Sequence, residues 1–241
     1  RERLSVNLVE RIGAAVSESL MQEGAQTKWR GRSVFLCDGS TIALTRRDAL
    51  LAKFSPNKNQ HGQAYTPNMS CLCCHELFSG IALNPCYGAY RGKEATSEQA
   101  LFYQALDKMP AKSLCIADKN FGIFAVAYAA AQRGHEVLVR LTSIRAKGFI
   151  GGQSAEYIDK AVTWKYRQSR AAEELAIAPD AAVEGRFIKW TVKRDGYRPL
   201  ELLFFTNSTQ PAKDLVALYE QRERIENDIR TVSYTHLRAH E

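Results

Sequence analysis

Two aspartates stand in apolar surroundings. Asp38 interrupts the run RSVFLCDGSTIAL (Arg32 to Leu44), and Asp118 ends the short run SLCIAD. A carboxylate withdrawn from water costs free energy unless something compensates it, and a divalent cation with oxygen ligands would do so. Taken singly, each reads more readily as a turn-forming or capping Asp. Taken together, on strands that could be neighbours, they fall where ligands collect, at the carboxyl ends of strands in a covered sheet. A third acid, Glu226, lies in LYEQRERIENDIR, where Tyr219, Arg222 and Glu226 have offsets of three and seven and so share one helical face that Arg230 extends. Arg222 and Arg230 each sit four residues from Glu226, so a solvated, salt-bridged surface accounts for this face as well. The competing reading has Glu226 complete an acidic metal-binding triad, with Tyr219 and Arg222 approaching a phosphate backbone, where Arg offers planar paired donors.

The elements that must hold these residues follow from hydrophobic periodicity. Leu4, Leu8, Val9, Ile12, Val16 and Leu20 predict a helix from Glu2 to about Gln26. Arg32 to Leu44 is apolar on both faces, as expected of a central strand. FSPNKNQHGQAYTPN reads as a loop, followed by strands MSCLCCHELF and SGIALNPCYGAY turning at Ser79 and Gly80. SEQALFYQALDKM is an amphipathic helix that Ser97 can cap, SLCIAD is a strand, an Ala-rich helix ends at Gly134, and HEVLVRLT is a strand. Between about Ser143 and Leu200 polar connections separate strand-like pieces, which predicts a β-rich insertion. LELLFFTNS returns to a buried strand, and Pro211 suits the first turn of the last helix. The order describes a mixed α/β sheet covered by helices.

Composition narrows the function classes. The chain is 45% hydrophobic and 24% charged over 241 residues, enough for a sizeable core, and its 33 Lys and Arg against 26 Asp and Glu leave a net charge of +7 that favours a polyanionic partner. No apolar run reaches the roughly 18 residues of a membrane span, and the first residues lack a signal-peptide layout, so a cytoplasmic location is expected. Cys71 and Cys74 satisfy a CxxC spacing beside His75, but a structural zinc site usually needs two such knuckles. Buried free thiols are the simpler reading of cysteines in apolar strands.

The three acidic segments, in order, resemble a known family. YEQRERIE is similar to the Tyr, two residues, Arg, three residues, Glu, six residues, Lys signature of DDE transposases of the insertion-sequence-four family. FLCDGSTIAL and CIADKNFG resemble the segments that carry that family's first and second Asp. The gaps are 118 − 38 = 80 and 226 − 118 = 108 residues, the longer holding the expected insertion, as it does in that family. The resemblance implies a ribonuclease H-like core that cuts and joins double-stranded DNA at transposon ends and target with two Mg²⁺ or Mn²⁺ ions, acting as a homodimer in the active complex. It implies that Asp38, Asp118 and Glu226 are catalytic and hold the metals, and that Tyr219, Arg222 and Lys119 contact DNA. The resulting division is an N-terminal helical segment (1–31), a core beginning at 32–142, the β-rich insertion (143–200), the last core strand and helix (201–231) and a tail (232–241).

This sequence departs from the family at its end. The signature Lys falls at position 233, seven after Glu226, where this chain has Ser233. VSYTHLRAHE resembles translated sequencing-adapter DNA, so the natural sequence is expected to stop near Arg230 or Thr231, and the chain is expected to be a fragment. Two other classes fit parts of the pattern: a catalytically inactive DNA-binding fragment of a transposase, and a zinc-binding module on Cys71, Cys74 and His75.

Overall fold

The structure, a computed structural model, describes residues 4–23, 28–60, 62–152, 155–193, 196 and 198–222. Its described residues fall into two compact units. One comprises those within 1–31 and 37–109, the other those within 32–36 and 110–223. Strand β1 (Val34–Ala43) passes from the second unit into the first between Leu36 and Cys37.

In the first unit, α1 (Val6–Glu23) precedes β1, followed by α2 (Asp48–Lys53), β2 (Pro56–Asn59), β3 (Gly62–Glu76), β4 (Cys86–Ala89) and α3 (Glu98–Leu106). The long strand β3 lies between β1 on one side and β2 and β4 on the other, pairing β2 from Gly62 and β4 across Met69 to Leu72, both antiparallel. The expected loop between Phe54 and Asn68 is thus a β-hairpin. Its Asn, Gln, Lys and Pro content hid it, because an edge ribbon wet on its sides needs no apolar alternation. Ser97 caps α3 by accepting from the Ala100 N–H at 3.1 Å. Helix α1 forms within the expected span but begins only at Val6, and its apolar stripe is exposed, with Val16 at 52% and Leu20 at 43%. Polar contacts attach it instead: the Tyr87 hydroxyl donates to Glu10 and the Ser17 hydroxyl to the Ala82 carbonyl.

In the second unit the strands run β1 (its first residues), β5 (Leu114–Ala117), β6 (Glu136–Arg140), β9 (Leu200–Thr206), β8 (Ala182–Val192) and β7 (Tyr157–Lys165). β5 and β6 are parallel, and β6–β9, β9–β8 and β8–β7 are antiparallel. The helices are α4 (Phe124–Gln132), α5 (Ser143–Ile150), α6 (Arg170–Glu174) and α7 (Ala212–Glu220). Val34 to Cys37, all of β5, and Phe204 and Phe205 are buried, as parallel and central strands covered on both faces require. The stretch 143–200 contains two short helices as well as strands, and its strands β7 and β8 extend the sheet outward from β9. The fold is mixed α/β of the ribonuclease H-like kind, with helices flanking a mixed sheet.

Candidate active site

Strand ends place the candidate residues of the second unit. The last parallel pair of β5 and β6 is Ala117 with Val139, so the next residues along, Asp118 and Arg140, emerge side by side. Asp118 is half-buried and its Oδ1 accepts from the Asn120 N–H at 2.8 Å, which closes a tight turn over Lys119. The side chain therefore performs the turn-forming role and still presents carboxylate oxygen at the strand end. Arg145, on α5, donates to the Lys119 carbonyl at 2.7 Å and fixes that turn from the other side. Gly122 closes the arrangement: a Cβ there would run into the Arg140 carbonyl oxygen, so only glycine lets the two segments meet.

Tyr219 reaches the same strand end from α7. Its ring packs edge-on to Phe204 with centroids 4.7 Å apart, and Phe204 is the β9 partner of Arg140. The guanidinium of Arg140 hydrogen-bonds the Tyr219 hydroxyl, and the charge of Asp118 acts on the same phenol. Burial pushes the Tyr219 phenol above its ordinary range, opposed by Arg222 and Arg140 and reinforced by Asp118. It stays a neutral hydrogen-bonding group at physiological pH. The Arg222 guanidinium carbon lies 6.0 Å from the Tyr219 ring centroid, at the distance where cation and aromatic face attract.

Helix α7 is held in place by its leading loop. Asn207 accepts from the Val137 N–H at 2.7 Å and donates to the His135 carbonyl. Arg186 on β8 donates to the Gln210 carbonyl at 2.8 Å and to that of Ser208 at 3.2 Å, while its Nε and Nη2 grip Asp159 at 2.9 and 2.6 Å. A paired guanidinium–carboxylate fork fixes direction as well as distance.

Asp38 belongs to the first unit, half-buried on β1. A Cβ on the adjacent Gly39 would meet the Glu98 carboxyl, so this second acid, in the first turn of α3, lies against the Asp38 segment. Glu226, Arg230 and 232–241 lie outside the described residues. Lys119 is exposed beside Asp118. Among the described residues, no three His, Cys, Asp or Glu side chains are grouped to hold a metal.

Comparison with protein families matches residues 29–240 to the family described as "Transposase DDE domain". The chain belongs to that family. No curated protein matched it. The match runs from ahead of β1, through Asp38 and Asp118, beyond α7. The mixed sheet and flanking helices of this transposase domain are thus those of a transposase family. No described helix is long and apolar enough to cross a membrane.

Sequence reasoning missed Arg140, Arg186 and Glu98. Arg140 had a readable signal, since a cation ending the strand after that of Asp118 becomes its neighbour if the two strands are parallel. Arg186 and Glu98 had none. The transposase domain also carries a groove of about 720 Å³ on its second unit, lined by Arg145, Lys160, Lys165 and Arg167 and by no acid.

Proposed function

We propose that this transposase domain performs metal-dependent DNA strand cleavage and strand transfer at insertion-sequence ends, with Asp38, Asp118 and Glu226 holding two Mg²⁺ or Mn²⁺ ions. The supporting observation is the grouping at the β5 and β6 ends, where Asp118 stands beside the Arg140–Tyr219 pair. An acid there suits a hard cation, and the neighbouring donors suit a phosphate. When bound, two such ions activate a water or 3′ hydroxyl and stabilise the entering and leaving oxygens of an in-line phosphoryl displacement. Asp38 would supply a hard oxygen ligand from a strand and Asp118 one from the hydrogen-bonded turn at a strand's end. Tyr219, neutral and held by Arg140, orients the DNA near the cleaved phosphate, and Arg222 and Lys119 offset its charge.

The finer assignments belong to the same proposal. The family subtype is that of insertion-sequence-four transposases, the substrate is duplex DNA, the active complex is a homodimer, and the location is cytoplasmic. The acid-free groove carries the duplex backbone away from the cut. Segment 1–31 is an N-terminal helical part, 32–142 and 201–231 form the catalytic core, and 143–200 is its insertion. Residues 232–241 are an adapter-like tail, set against a family match that runs to residue 240.

Incubation of the chain with supercoiled plasmid and Mg²⁺ tests this. Nicking that requires the metal and disappears in both Asp118→Ala and Asp38→Ala is expected. Retained DNA binding without nicking would make the chain an inactive DNA-binding fragment.

A further inference from the structure

Strand β3 carries three of the six cysteines, and its pleat sorts them. Successive side chains of a strand point to opposite faces, so Cys71 and Cys73 share one face while Cys74 joins Leu72 on the other. The CxxC spacing of Cys71 and Cys74 therefore brings no sulfurs together. The i, i+2 pair does: the Cys71 and Cys73 sulfurs are 3.9 Å apart. Cys71 is buried and Cys73 half-buried, which leaves the pair a route to solvent.

That separation suits one of the two things a pair of thiols can do better than the other. Two metal–sulfur bonds of about 2.3 Å opened to the tetrahedral angle hold their sulfurs about 3.8 Å apart. A disulfide needs sulfurs roughly 2 Å apart and most often Cα atoms about 5.5 to 6 Å apart. Residues two apart on a strand rising about 3.3 Å per residue lie about 6.6 Å apart, at the long end of the range a disulfide spans. The observed sulfur spacing matches a shared ion without further movement, whereas a disulfide would need the sulfurs to close by about half. The contact with Cys71 and burial push the Cys73 thiol well up, and Asp38, in the same unit, adds a smaller push, so only a strongly thiophilic cation displaces its proton.

We infer that Cys71 and Cys73 together bind one thiophilic divalent cation of the Zn²⁺ or Cd²⁺ type. With two sulfur ligands the site is open, its remaining positions taken by water, and it differs from a closed structural zinc site. Binding converts two thiols to thiolates, so each bound ion releases two protons to solvent and affinity rises with pH. Soft sulfur ligands select against Mg²⁺, so the pair does not compete for the ions assigned to the carboxylates.

Titration of the reduced, chelator-treated chain with Cd²⁺ tests the inference, read by the ultraviolet thiolate-to-metal absorption and by calorimetric stoichiometry. The expected result is one equivalent bound with a thiolate band in the unaltered chain and in Cys115→Ala. In Cys73→Ala, binding should weaken by at least about tenfold, the scale on which even the groups supporting a metal's ligands act, and most of the band should go. Circular dichroism melting confirms that each variant folds, and Cys73→Ser replaces Cys73→Ala if the latter does not. Undiminished affinity in the Cys73 variant, or no thiolate band in the unaltered chain, would overturn it. The readout is independent of DNA, so loss of nicking activity and loss of this site are separately visible.

Discussion

Arg140 and Tyr219, far apart in sequence, are joined by a hydrogen bond from guanidinium to phenol, and both stand over the same residue, Phe204. The bond ties the end of β6 to α7, the helix that leads toward Glu226. It also leaves a cation and a neutral hydroxyl beside Asp118, a mixture that a phosphate oxygen can use from either side.

Replacement of Arg140 should therefore impair chemistry more than binding. In Arg140→Ala, plasmid nicking should fall by about 10²-fold, the scale for loss of one positioned donor, while DNA affinity changes far less. Arg140→Lys should recover only part of the rate, because an ammonium lacks the planar fork. Nicking rates and gel-shift affinities of the three proteins check this. Equal loss in both would make Arg140 a general DNA contact.

Tyr219 supplies a pH test. Its folded pKa lies above the ordinary value of 10.0, with burial the largest cause. The neutral phenol therefore favours the folded state fully below pH 10.0, and this contribution is lost as pH rises through the folded value. Tyr219→Phe lacks the effect. The melting-temperature difference between the unaltered chain and Tyr219→Phe should be constant at neutral pH and shrink as pH passes 10.0. A difference that grew with alkaline pH would contradict the assignment.

The Arg186–Asp159 fork should be worth more than a surface pair, since both side chains are only 21% exposed. Arg186→Ala also frees the Ser208 and Gln210 carbonyls, and should cost about 2–3 kcal/mol in urea unfolding. Asp159→Ala should cost less, because the carbonyl bonds survive. A double-mutant cycle should show clear coupling, and additive effects would argue that the fork contributes nothing as a pair.

DNA binding should be strongly salt-dependent. Neutralised phosphates release counterions, so the logarithm of affinity should fall linearly with the logarithm of salt. Replacing Lys160 and Lys165, which line the acid-free groove, should reduce that slope by about one for each phosphate that is no longer neutralised. An unchanged slope would place the duplex elsewhere.

Much of this fold was legible because buried strands announce themselves. The first four residues of β1, all of β5 and the run Leu202 to Phe205 of β9 are apolar and buried, although the end of β1 expected to be covered is exposed, and an acid following such a run is conspicuous. The β2–β3 hairpin was not legible, because its residues are polar on both sides and pairing, which sequence does not display, makes it a strand. The stripe of α1 was legible but its fate was not: periodicity predicts a helix with an apolar face, and here that face stays exposed. Asp118 was conspicuous by its position at the end of an apolar run, whereas Arg140 depended on the parallel pairing of β5 with β6, and Glu98 on the approach of α3 to Gly39. The role of Glu226 rests on spacing and resemblance, since it lies outside the described residues.

Gly122 should be among the least replaceable positions. Gly122→Ala should cost about 2–3 kcal/mol, since a methyl would push on a backbone carbonyl that has no rotamer to adopt. It should slow nicking as well, because the displaced carbonyl is that of Arg140. Full stability in Gly122→Ala would show that the two segments can separate at no cost.

That close approach also has a genetic consequence. Every missense change at a glycine codon introduces a Cβ, so codon 122 has no conservative neighbour in mutational space. Drift there cannot proceed by small steps. In a transposase gene, any replacement at this codon should mark a lineage whose protein is losing stability, often before either aspartate is touched.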